Sequence, residues 1–212
     1  MTLPIQGLYV ITDSQLIDEA HFLQTVEAAL CGGAKVVQYR DKTDNQSKRV
    51  AQATGLKKIC QQYAVPLIIN DDIDLAQQVH ADGVHLGKYD SSLLQARKQL
   101  GQQAIIGISC YNQLALAQQA VANGADYVAF GRFFNSVTKP EAIPASIDVL
   151  VQARQQLSCP IVAIGGITPE NGLALLQAGA NSLAVINGVF AESTLTTVQM
   201  AANRYFQLTH TI

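Results

Sequence analysis

Short Val- and Ile-rich runs alternate along the chain with longer stretches in which Ala, Gln and Leu recur at helical spacing, and the alternation repeats eight times. The runs predict strands at 8–11, 36–39, 67–69, 83–86, 104–108, 127–130, 161–164 and 182–186. Between and after them, helices are expected near 18–32, 45–63, 72–80, 91–100, 112–123, 145–157, 169–178 and 195–208. The runs are continuously apolar, not alternating in polarity, which suits strands covered on both faces.

Punctuation supports this division. Pro66 and Pro160 stand just before strands, while Gly32-Gly33, Gly124 and Gly179 stand where helices should close. One junction recurs as Gly33-Ala34-Lys35, Gly124-Ala125-Asp126 and Gly179-Ala180-Asn181, as expected of repeated βα units. Eight such units without a linker or a break in composition predict one domain over 1–212, an α/β fold of the (β/α)8 TIM-barrel class. An open doubly wound sheet is the alternative, because periodicity does not show closure.

The composition is that of a globular protein: 49% hydrophobic, 14% charged, formal net charge -2 over 212 residues. Without a block of like charge, no nucleic-acid or polybasic membrane surface is expected, so an anionic ligand must be held by local groups. Cys31, Cys60, Cys110 and Cys159 are far apart and form no zinc or disulfide framework. No apolar run approaches the roughly 18 residues of a membrane span, and the start of the chain is unlike a signal peptide. The expectation is a cytoplasmic protein with reduced thiols.

In a barrel, chemistry collects where strands end and helices begin, and these positions are polar. They are Thr12 and Asp13; Arg40, Asp41 and Lys42; Asn70, Asp71 and Asp72; His85 and Asp90; Ser109; a long 131–144 loop with Ser136, Thr138 and Lys139; Gly165-Gly166; and Asn187. Gln38, Arg40 and Lys42 alternate, so a strand would direct all three to one side, where a guanidinium fork and an ammonium suit a diphosphate. An exposed ion-paired turn is the plainer reading of the same residues. Asp71 and Asp90 can share a Mg²⁺, which needs only one or two carboxylates, whereas Asp72 suits a helix cap. Gly165-Gly166 before Pro169 lets backbone N–H groups approach an anion, although a double glycine also serves plain turns. The 131–144 loop has the length of a lid or of an ordinary surface loop. His85 reads as a packed histidine, with a catalytic base as the alternative.

Together these residues resemble the thiamine-phosphate synthase family. The likeness rests on Gly7-Leu8-Tyr9-Val10-Ile11-Thr12-Asp13, Val37-Gln38-Tyr39-Arg40-Asp41-Lys42, Ile68-Ile69-Asn70-Asp71, Asp82-Gly83-Val84-His85-Leu86-Gly87, Thr138-Lys139 and Ala163-Ile164-Gly165-Gly166-Ile167. The resemblance implies a Mg²⁺-dependent transferase of thiamine biosynthesis that joins hydroxymethylpyrimidine diphosphate to a thiazole phosphate or its carboxy form. It implies that Gln38, Arg40, Lys42, Asn70, Ser109 and Lys139 contact the pyrimidine diphosphate, with Tyr39 and Asp41 in the same stretch. Asp71 and Asp90 would bind Mg²⁺, and Ser136, Val137, Thr138, Gly166, Ile186 and Asn187 would bind the thiazole phosphate. Among these, Arg40, Lys42, Lys139 and Ser109 would carry catalysis.

Several positions depart from the family's pattern. Asn187 stands for a serine, Arg132 and Asn135 for prolines, Ser136 for a threonine and Lys88 for a glutamine. The related thiazole tautomerases would carry a histidine at position 111, where this chain has Tyr111. A non-catalytic barrel that binds a phosphorylated ligand is the alternative of another class. Oligomeric state is not legible in the sequence.

Overall fold

Eight parallel strands pair in chain order, and the last returns to the first. They are β1 (Gly7–Ile11), β2 (Val36–Tyr39), β3 (Leu67–Asn70), β4 (Gly83–Leu86), β5 (Ile105–Tyr111), β6 (Tyr127–Phe130), β7 (Ile161–Ile164) and β8 (Ser182–Val185). The computed structural model describes residues 5–87, 92–135 and 143–210. The sheet is therefore a closed (β/α)8 barrel, and the open-sheet alternative is excluded. The helices are α1 (Phe22–Cys31), α2 (Gln46–Gln62), α3 (Ile73–Gln78), α4 (Leu93–Leu100), α5 (Leu114–Ala122), α6 (Asp148–Gln156), α7 (Pro169–Gln177), α8 (Asn187–Phe190) and α9 (Leu195–Thr209).

The continuous apolar runs divide by parity into two cores. Tyr9, Ile11, Val36, Ile68, Tyr127, Ala129, Val162 and Ala184 fill the barrel, while Leu8, Val10, Val37, Leu67, Ile69 and Val128 pack outward against the helices. The interior is tight enough to need a missing side chain. A Cβ on Gly107 would lie 1.9 Å from Cζ of Tyr127, so the glycine makes room for the tyrosine ring.

The helix-to-strand junctions lock the opposite end of the barrel. Asp82, Asp126 and Asn181 each accept through a side-chain oxygen from the backbone N–H that opens or nearly opens the preceding strand, at Leu67 (2.8 Å), Ile106 (2.7 Å) and Ile161 (2.8 Å). Each also donates its own N–H to the carbonyl of that same residue. Reciprocal pairs thus tie β3 to β4, β5 to β6 and β7 to β8. Lys35, at the same junction ahead of β2, bonds Leu8 O through its backbone, and its ammonium lies over the Phe206 ring instead.

Three local features were not expected. β5 runs on to Tyr111, with a register irregularity after Ser109. A four-residue helix, α8, opens directly after β8. Where glycine is absent, Ala64 and His80 take the left-handed conformation that closes a helix (φ 53° and 52°). Asp72 caps α3, its Oδ1 accepting from Leu75 N at 2.8 Å. Among the described residues, no helix is long and apolar enough to cross a membrane.

Candidate active site

A cavity of about 500 Å³ opens at the carboxyl ends of the strands. Its walls include Gln38, Arg40, Asn70 and Ser109 on one side and Gly166, Ile186 and Asn187 on the other. The barrel's inward parity explains the first group, because Gln38, Asn70 and Ser109 continue the rows of Val36, Ile68 and Ile105 that fill the interior.

Arg40 is held from β1. Thr12 Oγ1 accepts from Arg40 N at 2.8 Å and donates to Arg40 O, while Asp13 Oδ2 lies 3.3 Å from the guanidinium Nη1. At the rim, Asp71 gathers two donors on one carboxylate oxygen, Lys42 Nζ and Asn70 Nδ2, both at 2.5 Å. Asp71 occupies the left-handed region (φ 63°), a conformation that short polar side chains tolerate better than others.

The opposite wall is built from backbone. Gly166 has φ 64°, and a Cβ there would come within 2.3 Å of Asn135 O. Asn171 in the first turn of α7 ties this loop down, accepting from Thr168 N at 2.8 Å and donating to Gly166 O at 3.1 Å. Thr168, the N-cap of α7, lines the cavity, so the partial positive charge of that helix N-terminus lies beside it. Arg132, which also lines the cavity, donates from Nη1 to Asn135 Oδ1 at 3.0 Å.

Two expected ligands point elsewhere. Tyr39 Oη donates to Gln52 at 3.0 Å and its ring packs edge-on against Phe22, so it belongs to the helical layer. Asp41 is buried outside the barrel, where Lys48 Nζ lies at 2.9 Å and Thr43 N donates to Oδ1. Burial opposes ionisation of Asp41, but these donors outweigh it and hold its pKa below the usual value. The correction follows from strand parity: when Gln38 and Arg40 face in, Tyr39 and Asp41 face out. Lys42 reaches Asp71 at the rim but is not part of the cavity wall. Lys88, Asp90, Ser136, Val137, Thr138 and Lys139 lie outside the described residues.

Tyr9 and Tyr127 are absent from the expected site, and packing is the plainer expectation for His85. All three line the cavity floor. Their signal was available, since a polar tip inside an apolar inward-facing row needs a partner. Burial pushes the pKa of both phenols well up, so both keep their protons.

The sequence profile described as thiamine monophosphate synthase matches residues 8–189. The chain belongs to that family. It is 52% identical over 206 residues to the thiamine-phosphate synthase of Nitrosococcus oceani, covering 97% of this chain and 95% of that one. It is 55% identical over 186 residues to the thiamine-phosphate synthase of Saccharophagus degradans, covering 87% and 86%. Among solved structures, thiamine phosphate pyrophosphorylase from Pyrococcus furiosus superimposes with a TM-score of 0.86 at 31% identity, covering 97% of this chain and 96% of that one. Arg132 and Asn135 line the cavity beside Gly165-Gly166, and Asn187 takes the first position of α8.

Proposed function

We propose that the chain is a thiamine-phosphate synthase, a transferase of thiamine biosynthesis that couples hydroxymethylpyrimidine diphosphate to thiazole phosphate or its carboxy form. The observation that carries this reading is one cavity with two unlike walls, Arg40, Asn70 and Ser109 facing Gly166, Ile186 and Asn187. One wall offers a guanidinium fork and amide and hydroxyl groups to a pyrimidine diphosphate. The other offers backbone N–H groups and an amide to a monoester phosphate.

In this mechanism the bond from the pyrimidine methylene to the diphosphate oxygen breaks, and its electron pair leaves with the diphosphate. The ring stabilises the methylene cation, and the thiazole nitrogen then donates its pair to form the new C–N bond. Were the thiazole carboxylated, CO₂ would leave once the C–N bond had formed, its bonding pair staying on the thiazolium carbon, which then takes a proton from water. Arg40, Lys42 and Lys139 stabilise the charge that collects on the departing diphosphate, the point where preorganised donors accelerate the step most. Ser109 orients the pyrimidine. Ser136, Val137 and Thr138 complete the thiazole phosphate site.

The rim suits a hard divalent cation. The Asp71 carboxylate is an oxygen donor adjoining Asn70 and Lys42, and Mg²⁺ asks for only one or two carboxylates beside water and phosphate oxygens. Asp71 and Asp90 would hold it, and when bound it would neutralise diphosphate charge. We place the enzyme in the cytoplasm, acting on small molecules without nucleic acid or membrane.

The test is to incubate the purified protein with both substrates and Mg²⁺ and to follow thiamine phosphate after oxidation to its fluorescent product. Product that disappears with a chelator is the expected result. Binding of both ligands without product would overturn the reading in favour of a non-catalytic barrel.

A further inference from the structure

Five side chains cross the cavity floor in one hydrogen-bonded line. Gln38 Nε2 donates to Tyr9 Oη at 2.8 Å, Tyr9 Oη meets Tyr127 Oη at 2.9 Å, Tyr127 Oη meets His85 Nδ1 at 2.9 Å, and His85 Nε2 meets Ser109 Oγ at 2.9 Å. The line joins β2, β1, β6, β4 and β5, so no single element could set its direction.

The direction follows from counting protons. Among the described residues, Tyr9 Oη bonds only Gln38 and Tyr127, and it already accepts from Gln38. Its own proton therefore goes to Tyr127 Oη. The Tyr127 proton goes in turn to His85 Nδ1, because that nitrogen is its one other partner among the described residues. His85 must then accept at Nδ1 and carry its proton on Nε2, which donates to Ser109 Oγ. Within this line of described residues each bond uses one donor and one acceptor, and the proton of Ser109 is the one left over. Ser109 lines the cavity, so that proton is offered to whatever binds there.

We propose that His85, driven through Tyr127 and Tyr9 by the Gln38 amide, is a positioning residue that fixes the Ser109 hydroxyl as a hydrogen-bond donor into the cavity. A fixed donor selects a heteroaromatic ring that presents an unprotonated nitrogen. Resting on the substrate assignment above, it favours an aminopyrimidine, whose ring nitrogen accepts, over the corresponding oxopyrimidine, whose adjacent ring nitrogen carries a proton.

The first test reads the histidine directly. Nitrogen-15 NMR of the labelled protein, with His85 assigned by its loss in His85→Gln, is expected to show the neutral Nε2–H tautomer. A proton on Nδ1 overturns the proposal even if the protein turns over substrate. Conversely, the Nε2–H tautomer in a protein that makes no thiamine phosphate supports the relay while removing the substrate assignment.

The second test reads function. Tyr127→Phe keeps the ring but removes the proton supplied to Nδ1, and His85→Leu removes the relay at its centre. Each is expected to lower kcat/KM for the pyrimidine diphosphate by about tenfold, the equivalent of one net hydrogen bond, with the KM for thiazole phosphate unchanged. Each should also narrow the preference for the amino- over the oxopyrimidine, and His85→Gln, whose amide can still donate to Ser109, should retain more of it than His85→Leu. Variants that fold less stably but keep the full preference would show a purely structural role and sink the relay.

Discussion

Asp13 and Arg40 face each other across the ends of β1 and β2, Oδ2 to Nη1 at 3.3 Å, while Thr12 beside Asp13 grips the Arg40 backbone. The guanidinium is thus aimed before any ligand arrives. Arg40→Lys keeps the charge but loses the planar fork and its anchoring, and should cost roughly 1.5–3 kcal/mol in kcat/KM for the pyrimidine diphosphate. Asp13→Ala leaves the fork but frees it, and should cost about 1 kcal/mol, as expected of a partly exposed pair. Steady-state kinetics that rank the two variants the other way would remove aiming from the role of Asp13.

Asp71→Asn separates metal binding from folding. Asparagine accepts the left-handed backbone at this position (φ 63°) and keeps the size of the side chain, so thermal stability should stay near that of the parent. The loss of carboxylate charge should raise the Mg²⁺ concentration for half-maximal activity by about tenfold, on the scale of one charge-assisted contact. An unchanged magnesium titration would take Asp71 out of the metal site.

The barrel was legible because its strands are buried on both faces, and both-face burial writes itself as unbroken Val and Ile. The recurring junction was legible too, but its meaning was not. The spacing marked Asp126 and Asn181 as positions after a helix stop, while only the register shows their oxygens on Ile106 N and Ile161 N. Alternation sets Gln38 and Arg40 on one side, but the family likeness covers the whole 38–42 stretch, so it brings in Tyr39 and Asp41 although they pack among the helices. The relay stayed invisible for a different reason. Its members lie on five strands, and each looks alone like a polar exception inside an apolar run. The four residues of α8 are too few to carry a period.

The junction pairs lie at the end of the barrel away from the cavity, where side chains serve stability. Asp126→Ala leaves the Ile106 N–H without its side-chain acceptor and breaks the ion pair to Arg97, and should cost about 1–3 kcal/mol in denaturant unfolding. Asp126→Asn keeps an acceptor, as Asn181 does naturally, and should lose less. Both should keep the parent's kcat, and a fall in kcat at full folding would show that this end is coupled to the cavity.

Gly107 and Tyr127 share one volume inside the barrel. A methyl at 107 would sit 1.9 Å from Tyr127 Cζ and 2.3 Å from Cε1, so the ring must move or the strands must part. Gly107→Ala should destabilise by about 1–3 kcal/mol as an overpacked core. Tyr127→Leu relieves the clash, so the double variant should lose less stability than the sum of the single losses. Strict additivity would mean that the barrel yields elsewhere.

Thiol reactivity should report the same two-core packing. Cys60 and Cys110 are fully buried against the outer faces of the strands, and burial pushes their thiols up to about 12. Because only the thiolate reacts, and its formation is opposed at both sites, alkylation of the native protein near pH 8 should leave Cys60 and Cys110 unmodified. Cys31 is exposed on α1, its sulfur 3.1 Å from Tyr63 Oη, and should label first. Peptide mass mapping before and after denaturant distinguishes the sites. Equal labelling of Cys31 and Cys110 in the native state would mean that the layer between strands and helices opens far more readily than its burial implies.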